Sequence, residues 1–263
     1  MKTFYIALLI NHLRATRLSA VPYLCNMIRE LTDLLLPRSC LVCGRQLAVQ
    51  EEQLCIWCAA DLPLTYTWER PHNVMADRLN ATLERLRPEG ERMDYVYAAS
   101  LLLYHQENPY KRIPQALKYQ GNLQAGTWFA RQLGRLMAGA PHFADIDTVV
   151  PVPLHWTRKW RRGYNQAQVI AAELARALQA RLCPDLIIRR RKTRTQTRLD
   201  ADARLQNVQG VFVVRHRIPA RHILLVDDTF TTGATLAACH NAVRNALGPS
   251  VRISVATLAM VEA

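Results

Sequence analysis

No stretch of this chain of 263 residues is apolar for long enough to cross a bilayer. The apolar run Phe4 to Ile10 is too short, and Lys2 ahead of it only imitates a secretory leader. Arg14 and Arg17 break the pattern soon after that run, and no long apolar stretch comes later. Residues 1–30 read as an amphipathic extension or a leader, and a cytoplasmic location is expected. Glycine and proline are sparse, 10 and 13 residues, so composition marks no long linker. Internal repeats and low-complexity tracts are absent, so no repeat architecture is expected. There is no G-x-x-x-x-G-K-S/T sequence, which excludes a Walker A phosphate loop.

Positive charge, by contrast, is in surplus. Lysine and arginine number 34 against 21 acidic residues, a net charge of +13. That balance suits polyanionic partners, namely phosphorylated metabolites, RNA, DNA or an acidic membrane surface. A basic solvated surface is the plain alternative.

Four of the seven cysteines fall in two C-x-x-C pairs, Cys40-Leu-Val-Cys43 and Cys55-Ile-Trp-Cys58, while Cys25, Cys183 and Cys239 are scattered. An odd count without a secretory signal fits a reducing compartment with paired thiols on a metal. The spacing C-x2-C-x11-C-x2-C offers four thiolates to one tetrahedral zinc ion. Gly44 suits the tight turn such a knuckle needs. Four cysteine ligands leave no open coordination position, so the zinc is expected to be structural.

Hydrophobic patterning divides the rest. A short helix over Leu31 to Leu36 is stopped by Pro37. Residues 31–68 read as a zinc-ribbon-like module, and 69–91 as a connector that is partly helical around Ala76 to Leu86. Residues 92–263 read as the main domain. Strands are expected over Tyr95 to Tyr104 (with a hairpin partner), Asp147 to Val152, Val211 to Val214, Ile223 to Val226 and Val251 to Leu258. Helices are expected over Lys111 to Tyr119, Leu123 to Met137, Ala167 to Leu182 and Thr235 to Leu247. This alternation predicts an α/β fold with a mainly parallel sheet and flanking helices. Ligands of such sheets sit past the C-terminal ends of strands, here just after Val152 and Val226.

The stretch from Ile223 to Thr235 is the most informative. Four apolar residues lead into Asp227 and Asp228, then a hydroxyl-rich loop opens a helix. Backbone N–H groups at a helix N-terminus favour a phosphate. Thr229, Thr231, Thr232 and Thr235 supply hydroxyls, and Gly233 with Ala234 lets the backbone approach closely. Asp227 and Asp228 repel a phosphate and suit either the vicinal hydroxyls of a ribose or a magnesium ion. A phosphate site beside a diol site describes a ribose 5-phosphate. A helix cap beside a solvated strand end is the purely structural alternative.

Two further segments are basic. The loop after Val152 carries Pro153, Arg158, Lys159, Arg161 and Arg162, followed by Gly163-Tyr-Asn-Gln166. The other runs from Arg189, Arg190, Arg191 and Lys192 through Arg194 to Arg198, then from Arg204 to Gly210. Either is also consistent with a solvated basic face.

Taken together, these motifs resemble the ComF family. The Asp227-Asp228 to Thr235 stretch is similar to the phosphoribosyl diphosphate (PRPP) motif of type I phosphoribosyltransferases, although Phe230 is bulkier than that motif leads one to expect. Pro151-Val-Pro-Leu154, Arg161 to Gln166, the Arg194 to Gly210 positions and Lys118-Tyr119 with Gly121 are similar to ComF sequences specifically. The resemblance covers about Leu34 to the C-terminus. It implies a phosphoribosyltransferase core with an N-terminal zinc ribbon, and PRPP with Mg2+ or a related phosphorylated sugar as ligand. It implies that Asp227, Asp228, Arg161 and Arg162 serve catalysis, with the Arg158 to Arg162 loop on the diphosphate. It also implies a link to competence, DNA uptake or DNA utilisation. On that side, Arg189 to Lys192, Arg194 and Arg198 are candidates for single-stranded DNA, and competence proteins are candidate partners.

Overall fold

The computed structural model describes residues 37–87, 93–105, 107–119, 121–154, 163–190 and 210–262. The chain divides into two compact units, Met1–Asp61 and Leu62–Ala263. The smaller contains one short helix among its described residues, α1 (Ile56–Ala60).

The larger unit is α/β. Its parallel five-stranded sheet has the order β1-β7-β6-β2-β3. The strands are β1 (Ala98–Tyr104), β2 (Thr148–Pro151), β3 (Arg181–Leu182), β6 (His222–Phe230) and β7 (Arg252–Val261). A separate antiparallel ribbon joins β4 (Ile187–Arg189) and β5 (Phe212–Val214). The helices are α2 (Val74–Leu86), α3 (Arg112–Tyr119), α4 (Leu123–Ala138), α5 (Gln166–Ala177) and α6 (Ala234–Leu247). The mixed fold and parallel sheet agree with the alternation of the sequence.

Polar residues start several of these helices. The side chains of Asn73, Asn122 and Asn165 accept hydrogen bonds from the first turns of α2, α4 and α5. In α2, Met75, Leu79 and Leu83 recur every fourth residue and are fully buried, which gives the helix one apolar stripe. That stripe joins a core with Leu236, Val243, Ile223, Leu225, Ile253 and Val255. The continuous apolar runs of β6 and β7 follow from a strand whose two faces are both covered. Gly126 and Gly134 mark where α4 lies closest to its neighbours. A Cβ at those positions would fall 2.5 Å from Leu117 Cδ1 and 2.7 Å from Ala177 Cβ.

Four local expectations change. The first strand has no hairpin partner among the described residues: β1 pairs in parallel with β7, and its antiparallel contact is a single bridge between Leu64 and Leu102. The helix expected to reach Leu182 ends at Ala177. Gln179 adopts φ 53°, and the chain turns to add Arg181–Leu182 to the sheet edge. The apolar stripe continues past the helix because β3 is itself partly buried beside β2. Strand β6 runs four residues beyond Val226, so both carboxylates lie in the strand, and Asp227 pairs with Thr257 of β7. Finally, β4 ends on Arg189, the first residue of a run in which the sequence suggested only positive charge.

At the N-terminal end of β6, His222 is fully buried between Asp145 and Ser254. Its Nδ1 lies 2.8 Å from Asp145 Oδ1 and its Nε2 2.8 Å from Ser254 Oγ, while Arg252 also pairs with Asp145. Burial lowers the His222 pKa to about 4, against a smaller raising effect from Asp147. The unfolded chain, with an imidazole near 6.5, therefore binds a proton that the folded chain refuses. His222 thus stabilises the fold fully above about pH 6.5, and this contribution is lost as pH falls towards 4, up to on the order of 3 kcal/mol. Urea midpoints measured between pH 7 and pH 4 should fall less steeply for His222→Gln than for the wild type. Identical slopes would remove His222 as the cause.

Candidate functional site

The four-cysteine cluster is built by two turns and a short helix. Gly44, at φ 76°, donates its N–H to Cys40 O over 2.9 Å, and Cys40 N–H donates to Arg45 O over 2.8 Å, which closes the first knuckle. A bridge between Ser39 and Gln46 ties its base. The Glu51 carboxylate accepts N–H groups of Ala48 (2.7 Å) and Ile56 (2.6 Å), bonds that hold its pKa below the ordinary value. The second of these orients the start of α1, which carries Cys58 back towards Cys55. All four Sγ atoms lie within 4.8 Å of one another, and Cys43 Sγ is 3.7 Å from Cys55 Sγ. A tetrahedral zinc with bonds of about 2.3 Å requires sulfur–sulfur edges of about 3.8 Å.

The chemistry of the donor set fits as well. Burial pushes the Cys40 thiol up, but hydrogen bonds from the Cys43, Cys55 and Val42 backbone outweigh it and bring Cys40 down to about 7. Cys58 is pushed up by burial, by hydrogen bonds with the other three thiols and by the Cys40 charge. Four sulfurs competing for protons in one small space suit a shared cation, and the cluster could hold a metal ion. The described cysteines are free thiols.

In the larger unit, the C-terminal end of β6 gathers the other polar residues. Asp227 is part-buried and its pKa lies well above the usual carboxylate range. Burial is the main cause and the Asp228 charge the second, while Lys118 and Arg189 act the other way. Asp228 N–H donates to Asp227 Oδ1 over 2.8 Å. On the side of Asp228, Lys118 Nζ lies 3.0 Å from Asp228 Oδ1 and 2.9 Å from Thr229 Oγ1. Burial alone lowers the Lys118 pKa, but the charges of Asp228 and Asp227 raise it above its ordinary value overall. The ammonium therefore stays charged.

Beyond Thr229 the chain turns into α6 through Gly233, at φ 78°, in the left-handed region. Phe230 explains the bulky residue in this loop. It is 1% exposed, packs inward beneath the turn, and a Cβ on Gly233 would come within 3.0 Å of its ring. The loop is held from α2: Arg78 donates to Thr231 O (2.6 Å) and stacks over the Phe230 ring. Thr231 is exposed, Thr232 and Thr235 are half-buried and Ala234 is buried. Arg78 also lines a cavity of about 640 Å³ with Leu64, Tyr66, Leu103 and Met260.

The structure brings together Asp227, Asp228, Thr229 and the turn to Thr235, and it adds Lys118. The lysine was visible in the sequence as part of Lys118-Tyr119 with Gly121, but nothing local ties it to a residue more than a hundred positions later. Arg78 and the cavity carried no sequence signal. Pro153 lies just past β2, where Asn165 Nδ2 donates to Val152 O over 3.0 Å. Arg158, Lys159, Arg161 and Arg162 lie outside the described residues, as do Arg191, Lys192, Arg194 and Arg198. Arg189 sits on β4, half-buried with its guanidinium over the Phe212 ring, whereas Arg190 is exposed.

A five-stranded parallel α/β unit with a carboxylate pair and hydroxyl-rich turn at one strand end, in a chain that also carries a four-cysteine cluster, defines the class of protein. No family model matches the chain. It is similar to competence protein F of Haemophilus influenzae, with 34% identity over 146 residues, 52% of this chain and 62% of that protein. It is similar to DNA utilization protein YhgH of Escherichia coli and of Salmonella typhimurium, each with 38% identity over 91 residues, 35% of this chain and 40% of those proteins. The matches thus span less than two thirds of the length of these relatives. Over the matched part, the chain is therefore similar to these competence and DNA-utilization proteins, in line with the motifs.

One zinc ion per chain is expected on Cys40, Cys43, Cys55 and Cys58. Elemental analysis of protein purified without added metal should find it, and Cys40→Ser should release it while leaving the far-ultraviolet circular dichroism of the α/β unit intact. Substoichiometric zinc together with rapid titration of these thiols in native protein would contradict this assignment.

Proposed function

We propose that this chain is a phosphoribosyltransferase-like protein that binds PRPP or another ribose 5-phosphate and serves competence or DNA utilisation. The observation that carries the reading is the end of β6. Two carboxylates, a hydroxyl-rich turn and a left-handed glycine follow one another at the C-terminal edge of a parallel sheet, where α/β proteins bind ligands. The turn from Thr229 to Thr235 holds the 5-phosphate at the start of α6. Asp227 and Asp228 face the ribose hydroxyls. The Arg158 to Arg162 loop follows β2, the strand next to β6, and takes the diphosphate. Arg161 and Arg162 stabilise the charge that grows as diphosphate leaves the anomeric carbon and a nucleophile replaces it. Magnesium carried by the diphosphate oxygens would neutralise part of that charge.

A second reading has support of its own in the net charge of +13 and in the words competence and DNA in the names of the relatives. In it, the basic segments after β2 and β4 hold single-stranded DNA, alone or with competence proteins. The zinc ribbon suits either reading.

Calorimetry against PRPP and sulfate separates the halves of the sugar-phosphate site. Asp227→Asn combined with Asp228→Asn should weaken PRPP binding at least about tenfold, because a carboxylate bonds a hydroxyl more strongly than an amide does, while sulfate binding survives. Gly233→Val should abolish both, since the left-handed turn and Phe230 leave no room for a branched side chain. Absence of PRPP binding by wild-type protein at millimolar ligand with magnesium would end the enzyme reading. A parallel titration with single-stranded DNA should then show affinity that falls steeply with salt.

A further inference from the structure

Lys118 stands where this site has a place for a cation. Its ammonium lies 3.0 Å from Asp228 Oδ1 and 2.9 Å from Thr229 Oγ1, and the two charged side chains are only 22% and 14% exposed. A shielded ammonium persists only where opposite charge holds it, and Asp228 with Asp227 supplies that charge. The position is fixed from more than one side. Lys118 lies in the last turn of α3, where a cation suits the helix dipole. The hydroxyl of Tyr164, two residues after Arg162, donates to the carbonyl of Leu117. The segment bearing Lys118 is thereby tied to the end of the basic loop after β2.

Building on the sugar-phosphate reading above, we propose that Lys118 is an internal cation. It occupies the position beside Asp228 that a divalent ion would otherwise take, so the site accepts its sugar phosphate with no metal at the carboxylates and excludes free divalent ions. An ammonium and a divalent ion compete for the same carboxylate oxygens, and the fixed charge repels the second cation at short range. Magnesium also demands a near-regular octahedron of oxygens, whereas Lys118 has already engaged Asp228 and its neighbour Thr229. Its contacts with Asp228 and Thr229 use two of three N–H donors, which leaves one for a ligand oxygen.

The test uses zinc-loaded, full-length protein and Mn2+ alone, followed by water-proton relaxation. Lys118→Met should bind Mn2+ at least about tenfold more tightly than wild type, because one positive charge has left the carboxylates. Lys118→Arg should behave like wild type, and adding Asp228→Asn to Lys118→Met should cancel the gain. Cancellation by Asp228→Asn separates this gain from Mn2+ binding by groups that misfolding would expose. Equal Mn2+ affinity in wild type and Lys118→Met, including no measurable binding by either, overturns the proposal. In a second arm, wild type should bind ribose 5-phosphate equally well, within about twofold, in magnesium-free and magnesium-containing buffer. A strict magnesium requirement overturns the proposal. Failure to bind ribose 5-phosphate in both buffers removes the sugar-phosphate reading instead, and the Mn2+ comparison then decides the role of Lys118.

Discussion

Two adjacent carboxylates at the end of a buried strand repel one another and lose hydration, and the larger unit is arranged around that cost. Strand β6 lies between β7 and β2, so its apolar residues fill the core while Asp227 and Asp228 lie past the end of β2, still alongside β7. The two side chains have different neighbours. Asp227, for which burial and the Asp228 charge outweigh the opposing charges of Lys118 and Arg189, holds its proton more tightly than an exposed carboxylate. Asp228 meets Lys118. A raised proton affinity on one side and an ammonium on the other ease the repulsion between two groups that stand beside a hydroxyl-rich loop.

The loop itself depends on packing beneath it. Phe230 fills the space under the turn, Gly233 makes the turn possible, and Arg78 of α2 fastens the carbonyl of Thr231. Helix α2 is therefore part of the site's support as well as of the core. The opposite end of the same strand is anchored by neutral His222 between Asp145 and Ser254, a buried polar cluster far along β6 from the carboxylates. The smaller unit is held in another way. Among its described residues it has one helix of five residues, none of them buried, and a cluster of four thiols that could hold a metal ion as a cross-link.

Much of this was legible in the amino-acid order, because the relevant signals are local. The C-x2-C pairs, the apolar run leading into Asp227-Asp228, and the glycine after the threonines each lie within a few residues, and turn and helix-start chemistry act over that range. Alternating strand and helix patterns were enough for a parallel α/β fold. Boundaries were less legible. The apolar stripe through Leu174 to Leu182 belongs first to α5 and then to β3, because both sit against the sheet and need the same kind of residue. Strand β6 absorbs two aspartates that propensity alone would exclude, because pairing with β7 overrides it.

The tertiary structure alone decided what meets what. The parallel partner of β1 is the last strand of the chain, where the sequence pointed to a nearby hairpin. Lys118, Arg78 and Arg189 reach the β6 end from three separate elements, each more than thirty residues away in sequence. An ion pair is set by position in space, and no pattern of neighbouring residues encodes which carboxylate a distant lysine will find. The sequence determined which chemistries this protein carries, four thiols, a carboxylate pair and a hydroxyl-rich turn, since each is a short motif. The folding of the sheet determined that the carboxylates share their site with a fixed ammonium, since only the sheet brings α3 to the end of β6.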